Sequence, residues 1–305
     1  MKENKFVIDS KIETLRLDKA LTLFNENYSR SYYANLIKKG DILVNGKTSN
    51  PSYKVKSGDV IDISRTEKET NMDLKPYELK LDVIYEDDDI LVINKPRGLV
   101  VHPGDGHHDD TLVNALIYNQ KELSTVNGLH RVGIVHRIDK DTSGLLLICK
   151  NDYVHNEVAK QLKDHSMHRE YIALVDGVID CNDGKIIGKI GRDPENRLKM
   201  AINNQTGKEA ITHFKVIKRY PKYTLIDCKL ETGRTHQIRV HLSSIKHPLV
   251  GDKLYGGSTY LYNEGQLLHA YKLTFFHPIL KKEMSFTCDI PSYFQEIIDK
   301  LDNLQ

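Results

Sequence analysis

Apolar positions first recur at helical spacing. Leu17, Ala20, Leu21 and Phe24 share one face, with Asp18, Lys19 and Asn25 on others, which predicts a helix. Ser29 stands where it can cap a second helix holding Tyr32, Tyr33, Leu36 and Ile37. Lys38-Lys39-Gly40 ends that helix with the cations and glycine that a helix C-terminus favours. The spacing then shortens. Apolar runs at residues 42–44, 53–55 and 60–63, with the hairpin dipeptide Asn45-Gly46 between the first two, predict short strands. Residues 1–14 are short and mixed, an extended arm. Residues 65–75 are charged and almost without apolar positions, an interdomain linker.

From Pro76 onward strands and helices mix. Residues 83–85 and 90–93 flank the acidic turn 86–89, a hairpin. Residues 132–135 and 145–149 flank a polar, Gly-closed segment and read as two buried strands joined by a loop. Val154, Val158, Ala159 and Leu162 make one face of a helix over 151–163, and 169–177 alternate as a strand. Residues 188–212, rich in Gly, Asn, Lys and Arg, predict hairpins or loops reaching toward a substrate. Strands follow at 213–216 and 223–228. Thr235 can cap a further helix whose stripe Ile238, Leu242, Ile245 leaves Arg239 free to point elsewhere.

Composition adds limits. With 305 residues, 39% hydrophobic and 28% charged, the chain can form one large or two modest cores. Its net charge of +2 hides an asymmetry: residues 1–66 hold 12 Lys+Arg against 8 Asp+Glu, the remainder 32 against 34. A modestly basic N-terminal segment on a near-neutral body fits a positively charged anchoring module. Cys149, Cys181, Cys228 and Cys288 have no metal-site spacing; free thiols in a reducing cytoplasm are expected. No signal peptide or membrane span is visible. His107-His108 reads as a solvated loop, and His236 and His241, five apart, cannot share a metal on a helix, so no metal is expected.

The polar segment, His136-Arg137-Ile138-Asp139-Lys140-Asp141-Thr142-Ser143-Gly144, sets four charged residues beside buried strands, which costs desolvation unless something pairs with them. On charge alone it could be a salt-bridged turn. It is not a kinase loop, since Ile138 separates Arg137 from Asp139, and no second copy supports an aspartic protease dyad. It closely resembles the signature loop of the RluA-type pseudouridine synthases, with Ile138 where Leu is usual. Residues 94–104 (Asn94-Lys95-Pro96, closing on Val101-His102-Pro103), 169–177, 231–252 and 267–278 resemble that family's other blocks, with Arg169 where Lys is usual. The order of elements before residue 64, with Arg16-Leu17-Asp18-Lys19, Ser29-Arg30-Ser31, Ile37-Lys38-Lys39-Gly40 and Val44-Asn45-Gly46-Lys47, resembles an S4 RNA-binding domain.

The resemblance implies an α+β protein: a small S4-like domain at 1–64, a linker at 65–75, and a catalytic domain at 76–305 built on a curved, mostly antiparallel mixed sheet. It implies an enzyme that isomerises uridine to pseudouridine in structured RNA. The S4 arrangement most resembles the D-type synthases of large-subunit (23S) ribosomal RNA. Asp139 would be catalytic, Tyr171 would pack on the target base, and Arg239 would pair with Asp139. Arg137, Arg234 and His102 would contact substrate. Arg16, Lys19, Arg30, Lys38, Lys39 and Lys47 would contact phosphates, which gives affinity but little sequence reading. The isomerisation has no net redox change or hydrolysis, so no cofactor is expected, and no nucleotide fingerprint is present. A monomeric cytoplasmic protein with RNA as its partner follows. The alternatives are a non-catalytic RNA-binding or ribosome-assembly protein on the same scaffold, and a hydrolase using Asp139 with water.

Overall fold

The computed structural model describes residues 5–24, 30–63, 74–104, 106–196 and 198–304. Ser29 and most of the expected linker lie outside the described residues. The chain divides into two compact units, Met1–Lys75 with Ser124–Val132, and Pro76–Leu123 with Gly133–Gln305.

In the smaller unit the helical spacing yields α1 (Leu17–Phe24) and α2 (Arg30–Lys39). Strands β1 (Lys5–Val7), β2 (Ile42–Val44), β3 (Lys47–Thr48) and β4 (Val60–Ile63) form an antiparallel sheet in the order β1-β4-β2-β3. Leu17, Leu21, Ile37, Ile42 and Ile61 meet in its core, each burial contributing about 1.5–3 kcal/mol. Asn45 (φ 52°) and Gly46 (φ 75°) both take the left-handed backbone that a two-residue hairpin needs. Two expectations change. Residues 5–7 of the expected extended arm are extended but belong to the sheet, as β1 paired with β4. Residues 53–55 form no strand; Lys54 makes only an isolated bridge to Arg16.

The larger unit carries β5 (Val83–Glu86), β6 (Ile90–Lys95), β7 (Ser143–Cys149), β8 (His168–Asp176), β9 (Asp183–Arg192), β10 (Met200–Ile202), β11 (Lys208–Arg219), β12 (Tyr223–Leu230), β13 (Leu268–His277) and β14 (Lys282–Thr287). They form a single sheet in the order β10-β9-β11-β12-β8-β13-β7-β6-β5, with β14 on β13. All pairings are antiparallel except the short one between β7 and β13. Four helices accompany it: α3 (Leu112–Asn119), α4 (Asp152–Lys163), α5 (Gln237–Ser244) and α6 (Ser292–Asp302). On α4, Asn151 accepts the Val154 N–H as a cap, and Val154 and Val158 are buried with Met167 and Phe275.

Three local differences from the sequence pattern have physical causes. Residues 132–135 are not a strand: the chain bends at Gly133, and Ile134 makes only a bridge to Ile148. Strand β8 alternates only at its start, then is buried continuously over 171–175, because it lies between β12 and β13 in mid-sheet. Helix α5 starts one residue later than a Thr235 cap would set it. His236 is the N-cap, in the left-handed conformation (φ 57°), and α5 is buried over 237–242 rather than along one stripe.

The β7–β13 pairing brings the two backbones so close at Gly144 that a Cβ there would stand 2.2 Å from Ala270 O, and its φ is +114°. Only glycine fits on both counts. Three buried histidines of this unit are held neutral: His269 at this crossing, His136 against β7, and His241 on α5 against Thr212. Burial pushes the His136 pKa down to about 3, and those of His241 and His269 each to about 4.

Their folded pKa values lie below the ordinary 6.5 of histidine, so the stability they contribute is present above about pH 6.5. It is lost as pH falls, because the unfolded chain binds protons that the folded chain refuses. The expected outcome is a urea midpoint that falls from about pH 6.5 to pH 4.5, as the unfolding free energy drops by about 1 kcal/mol per pH unit for each such histidine. Unfolding curves at several pH values check this. A flat midpoint down to pH 5 would show that these rings can charge inside the folded protein.

Candidate active site

The loop between Ile134 and β7 is fastened from several sides. Lys95, at the buried end of β6, is 0% exposed and donates to Pro96 O (2.7 Å), Leu99 O (2.8 Å) and Lys140 O (3.0 Å). Three carbonyls match the three N–H groups of an ammonium. Burial pulls the Lys95 pKa down to about 7, against the upward pull of Asp141 and Asp139. Gly98 N also donates to Lys140 O, and Thr142 N to Asp139 O. Gln266 Nε2 donates to Thr142 Oγ1 at 3.0 Å, and Leu147 N to His136 Nε2 at 3.1 Å. Asp139 is thus set on a rigid turn.

Arg239 reaches Asp139 from α5. Its Nη1 donates to Asp139 Oδ2 at 3.1 Å, a hundred residues away in sequence. The pairing expected with Asp139 alone is shared: Nε and Nη2 bond both oxygens of buried Asp252, at 2.7 and 2.9 Å. The guanidinium also lies over the Tyr255 ring, 4.9 Å from its centre. Burial alone would lower the Arg239 pKa, but Asp252 and Asp139 outweigh it and raise it. His236 Nε2 stands 4.0 Å from Asp139 Oδ1, and its Nδ1 meets the Tyr255 hydroxyl at 2.8 Å. Burial lowers the His236 pKa although Asp139 pulls it up, so the ring is neutral near pH 7.

One cleft is lined by Arg137, Asp139, Arg169, Tyr171, Arg234 and Arg239, among others. Tyr171 is 5% exposed and lies two residues from Arg169 on the same face of β8. Arg234 Nε donates to Glu209 O, which fixes it at the cleft wall. Arg137 is exposed at the rim, its Nη1 2.7 Å from His102 Nε2. His102 itself is absent from the lining of the cleft and reaches it only through Arg137.

In the smaller unit Lys19, Lys38, Lys39 and Lys47 are exposed. Arg16 and Arg30 are exposed too, but both are tied to buried Asp18, at 2.9 and 3.2 Å. Burial would raise the Asp18 pKa; its hydrogen bonds to the two arginines win and lower it.

Sequence reasoning gave no role to Lys95, Asp252, Tyr255 or His236. A lysine at the buried end of a strand that opens with four apolar residues signalled the first; nothing in the sequence marked Tyr255. Metal-type residues come together at Asp87, Asp89 and His277. There His277 Nδ1 accepts the Ile279 and Leu280 N–H groups, which leaves the ring proton on Nε2. That nitrogen is 3.1 Å from Asp87 Oδ2, though off the line of a good hydrogen bond. A protonated nitrogen is no metal ligand, and Asp87 is further occupied by Tyr85 and the backbone of Asp89 and Ile90.

Known proteins carry the same pattern. A family model described as RNA pseudouridylate synthase matches residues 89–244, and one described as S4 domain matches residues 15–61. The uncharacterized RNA pseudouridine synthase YlyB of Bacillus subtilis (strain 168) is 44% identical over 286 residues, 94% of either chain. The ribosomal large subunit pseudouridine synthase D of Neisseria meningitidis serogroup B is 42% identical over 297 residues, 94% of this chain and 78% of that one. Among solved structures, human RNA pseudouridylate synthase domain containing 1 aligns at a TM-score of 0.55 and 24% identity, over 75% of this chain and 97% of that one, a likeness of fold. With these matches spanning both units, the chain belongs to the RNA pseudouridylate synthase family, its synthase domain preceded by an S4 domain.

Proposed function

We propose that this protein converts uridine in large-subunit (23S) ribosomal RNA to pseudouridine, with Asp139 as the catalytic carboxylate. The observation that carries this is the Asp139–Arg239–Asp252 arrangement on the cleft that Tyr171 lines. The substrate class rests on relatives named ribosomal large subunit pseudouridine synthase D, 42% identical to this chain. The residues present in one chain complete the cleft, which supports action as a monomer. No helix among the described residues is long and apolar enough to cross a membrane, which fits a cytoplasmic modifier of ribosomal RNA. Residues 1–64 would serve as the RNA-binding module, 65–75 as its linker and 76–305 as the catalytic body. A non-catalytic scaffold is not favoured, because it gives no reason to bury Arg239 between two carboxylates at a cleft.

The chemistry breaks the C1′–N1 bond, turns the base and rejoins it through C5. Asp139 would act on the sugar or base as a nucleophile, or as the base in an elimination. One donor from Arg239 fixes its Oδ2 and leaves Oδ1 toward the cleft. A uridine in structured RNA must first leave its stack, at about a few kcal/mol. Tyr171 would pack against the extruded base; Arg137, paired with His102 at the rim, and Arg234 would hold the backbone around it. Lys19, Lys38, Lys39 and Lys47, with Arg16 and Arg30, would grip phosphates.

Mapping pseudouridines in RNA from cells with and without the gene tests the substrate. A missing modification in large-subunit ribosomal RNA is expected; an unchanged map there refutes the assignment. Asp139→Asn is expected to bind RNA and fold as the wild type does, with no turnover, and turnover by the purified variant would remove Asp139 from its role. Arg239→Lys keeps the charge but loses the fork on Asp252; single-turnover rates should drop about 100-fold through misplacement of Asp139. Asp252→Ala leaves the Arg239 charge under-paired and should cost about 3–5 kcal/mol in urea unfolding. Replacing Lys38, Lys39 and Lys47 by Glu should weaken RNA binding and flatten its salt dependence, by about one unit of slope per lost phosphate contact. An unchanged slope would mean that these lysines do not touch phosphate.

A further inference from the structure

Arg169 is a buried cation that the protein itself leaves unanswered. It is 6% exposed, and its Nε is buried with no hydrogen-bond partner among the described residues. The carboxylates nearby are engaged elsewhere. Glu170 points to the other face of β8, where it bonds Lys272 and Tyr271. Asp139 is held by Arg239, and Asp252 by the same residue. Burial lowers the Arg169 pKa, Tyr171 beside it pulls the other way, and a second cation, Arg234, adds to the lowering. Its surroundings are nonetheless shaped to receive it: a Cβ on Gly233 would lie 2.4 Å from its Nη1, so the guanidinium backs directly on the Gly233 backbone. A charge buried without a partner is costly, and a chain that needed only bulk here could use an apolar side chain. Arg169 and Tyr171 line the same cleft as Asp139, so the missing partner is a group that enters that cleft.

We infer that the Arg169 guanidinium hydrogen-bonds a carbonyl oxygen of the target uracil and stabilises the negative charge that the ring carries while it is detached from the sugar. When the C1′–N1 bond breaks, its electron pair stays with the ring and spreads over N1, O2 and O4. When C5 bonds C1′, that electron pair forms the new bond and the ring is again neutral; the C5 proton then leaves as N1 takes one up, which restores the uracil ring. Turning the base about its N3–C6 axis exchanges N1 with C5, and at the same time O2 with O4. One donor at a fixed place therefore meets a carbonyl oxygen both before and after the turn. A planar fork of N–H groups with no fixed protein acceptor suits that exchange. The depth of Arg169 favours the base over a phosphate, since Arg137 stands exposed at the rim where the backbone would pass.

The inference rests on the proposed activity for its reaction but not for its RNA. Full-length Arg169→Met and Arg169→Lys are compared with the wild type in single turnover, enzyme in excess, on total RNA from cells lacking the gene. Total RNA supplies every candidate uridine; if the modified position lies outside large-subunit ribosomal RNA, the substrate assignment fails while the comparison of variants stands. The Met variant should lose at least about 100-fold in rate, as removal of one charge-stabilising donor does. Its affinity for the RNA bearing that uridine should change less than about threefold, with the same salt slope. Because an unpaired charge is removed, its melting temperature should equal or exceed that of the wild type. The Lys variant should recover part of the rate. Weaker binding with a shallower salt slope would make Arg169 a phosphate contact and overturn the inference. So would a rate near the wild type, or a drop in melting temperature with no recovery by Lys.

Discussion

A guanidinium taken out of water must be matched by negative charge, and the synthase domain is arranged around one such match. Arg239, 7% exposed, spends its fork on Asp252 and its remaining arm on Asp139. The ranking matters. The strong, two-point bond goes to buried Asp252, and the weaker, single bond to Asp139, the proposed catalytic carboxylate. Asp252 thereby fixes the arm, and Asp139 keeps an oxygen uncommitted. Tyr255 closes the far side of the same guanidinium with its ring and ties His236 with its hydroxyl. Helix α5, buried over 237–242, packs Val240 against Ile190 and Ala210 and from there holds Arg239 toward Asp139.

A second buried cation works on the backbone. Lys95 uses all three of its protons on carbonyls, one of them on the residue after Asp139. Arg239 sets the carboxylate and Lys95 sets the turn that carries it. The floor of the cleft is therefore stiff, while the groups expected to meet RNA backbone, Arg137 and the lysines of the smaller unit, are exposed and few of them are locked. Stiffness near the reacting atoms is what positioning catalysis requires.

Much of this was legible in the chain. Helical spacing marked α1, α2 and α4, and Asn45-Gly46 marked its hairpin, because local backbone preference and burial point the same way there. The motif loop and its resemblance pointed to Asp139, Tyr171 and Arg239 together. Long-range geometry was not legible. Residues 132–135 look like a strand by hydrophobicity, yet Gly133 bends them and a single bridge is all they make. The partner of the Arg239 fork was missed because Asp252 lies beyond the helix end, where no periodicity relates it to Arg239. Tyr255 carried no signal among 16 tyrosines. Lys95 was visible as a residue but not as a tether, since its three acceptors are backbone atoms and backbone atoms have no sequence.

The parallel pairing of β7 with β13 has a consequence for how the enzyme comes into being. Ser143 and His269 meet across a separation of 126 residues, and Gly144 abuts Ala270 beside them. A contact that closes so long a stretch forms slowly and late, after local helices and hairpins. As the chain leaves the ribosome, the catalytic loop emerges well before the strand that seats it. The modifying activity is thus withheld until β13 has been made, and a chain that stops short of it holds Asp139 in a loop that β13 does not yet seat.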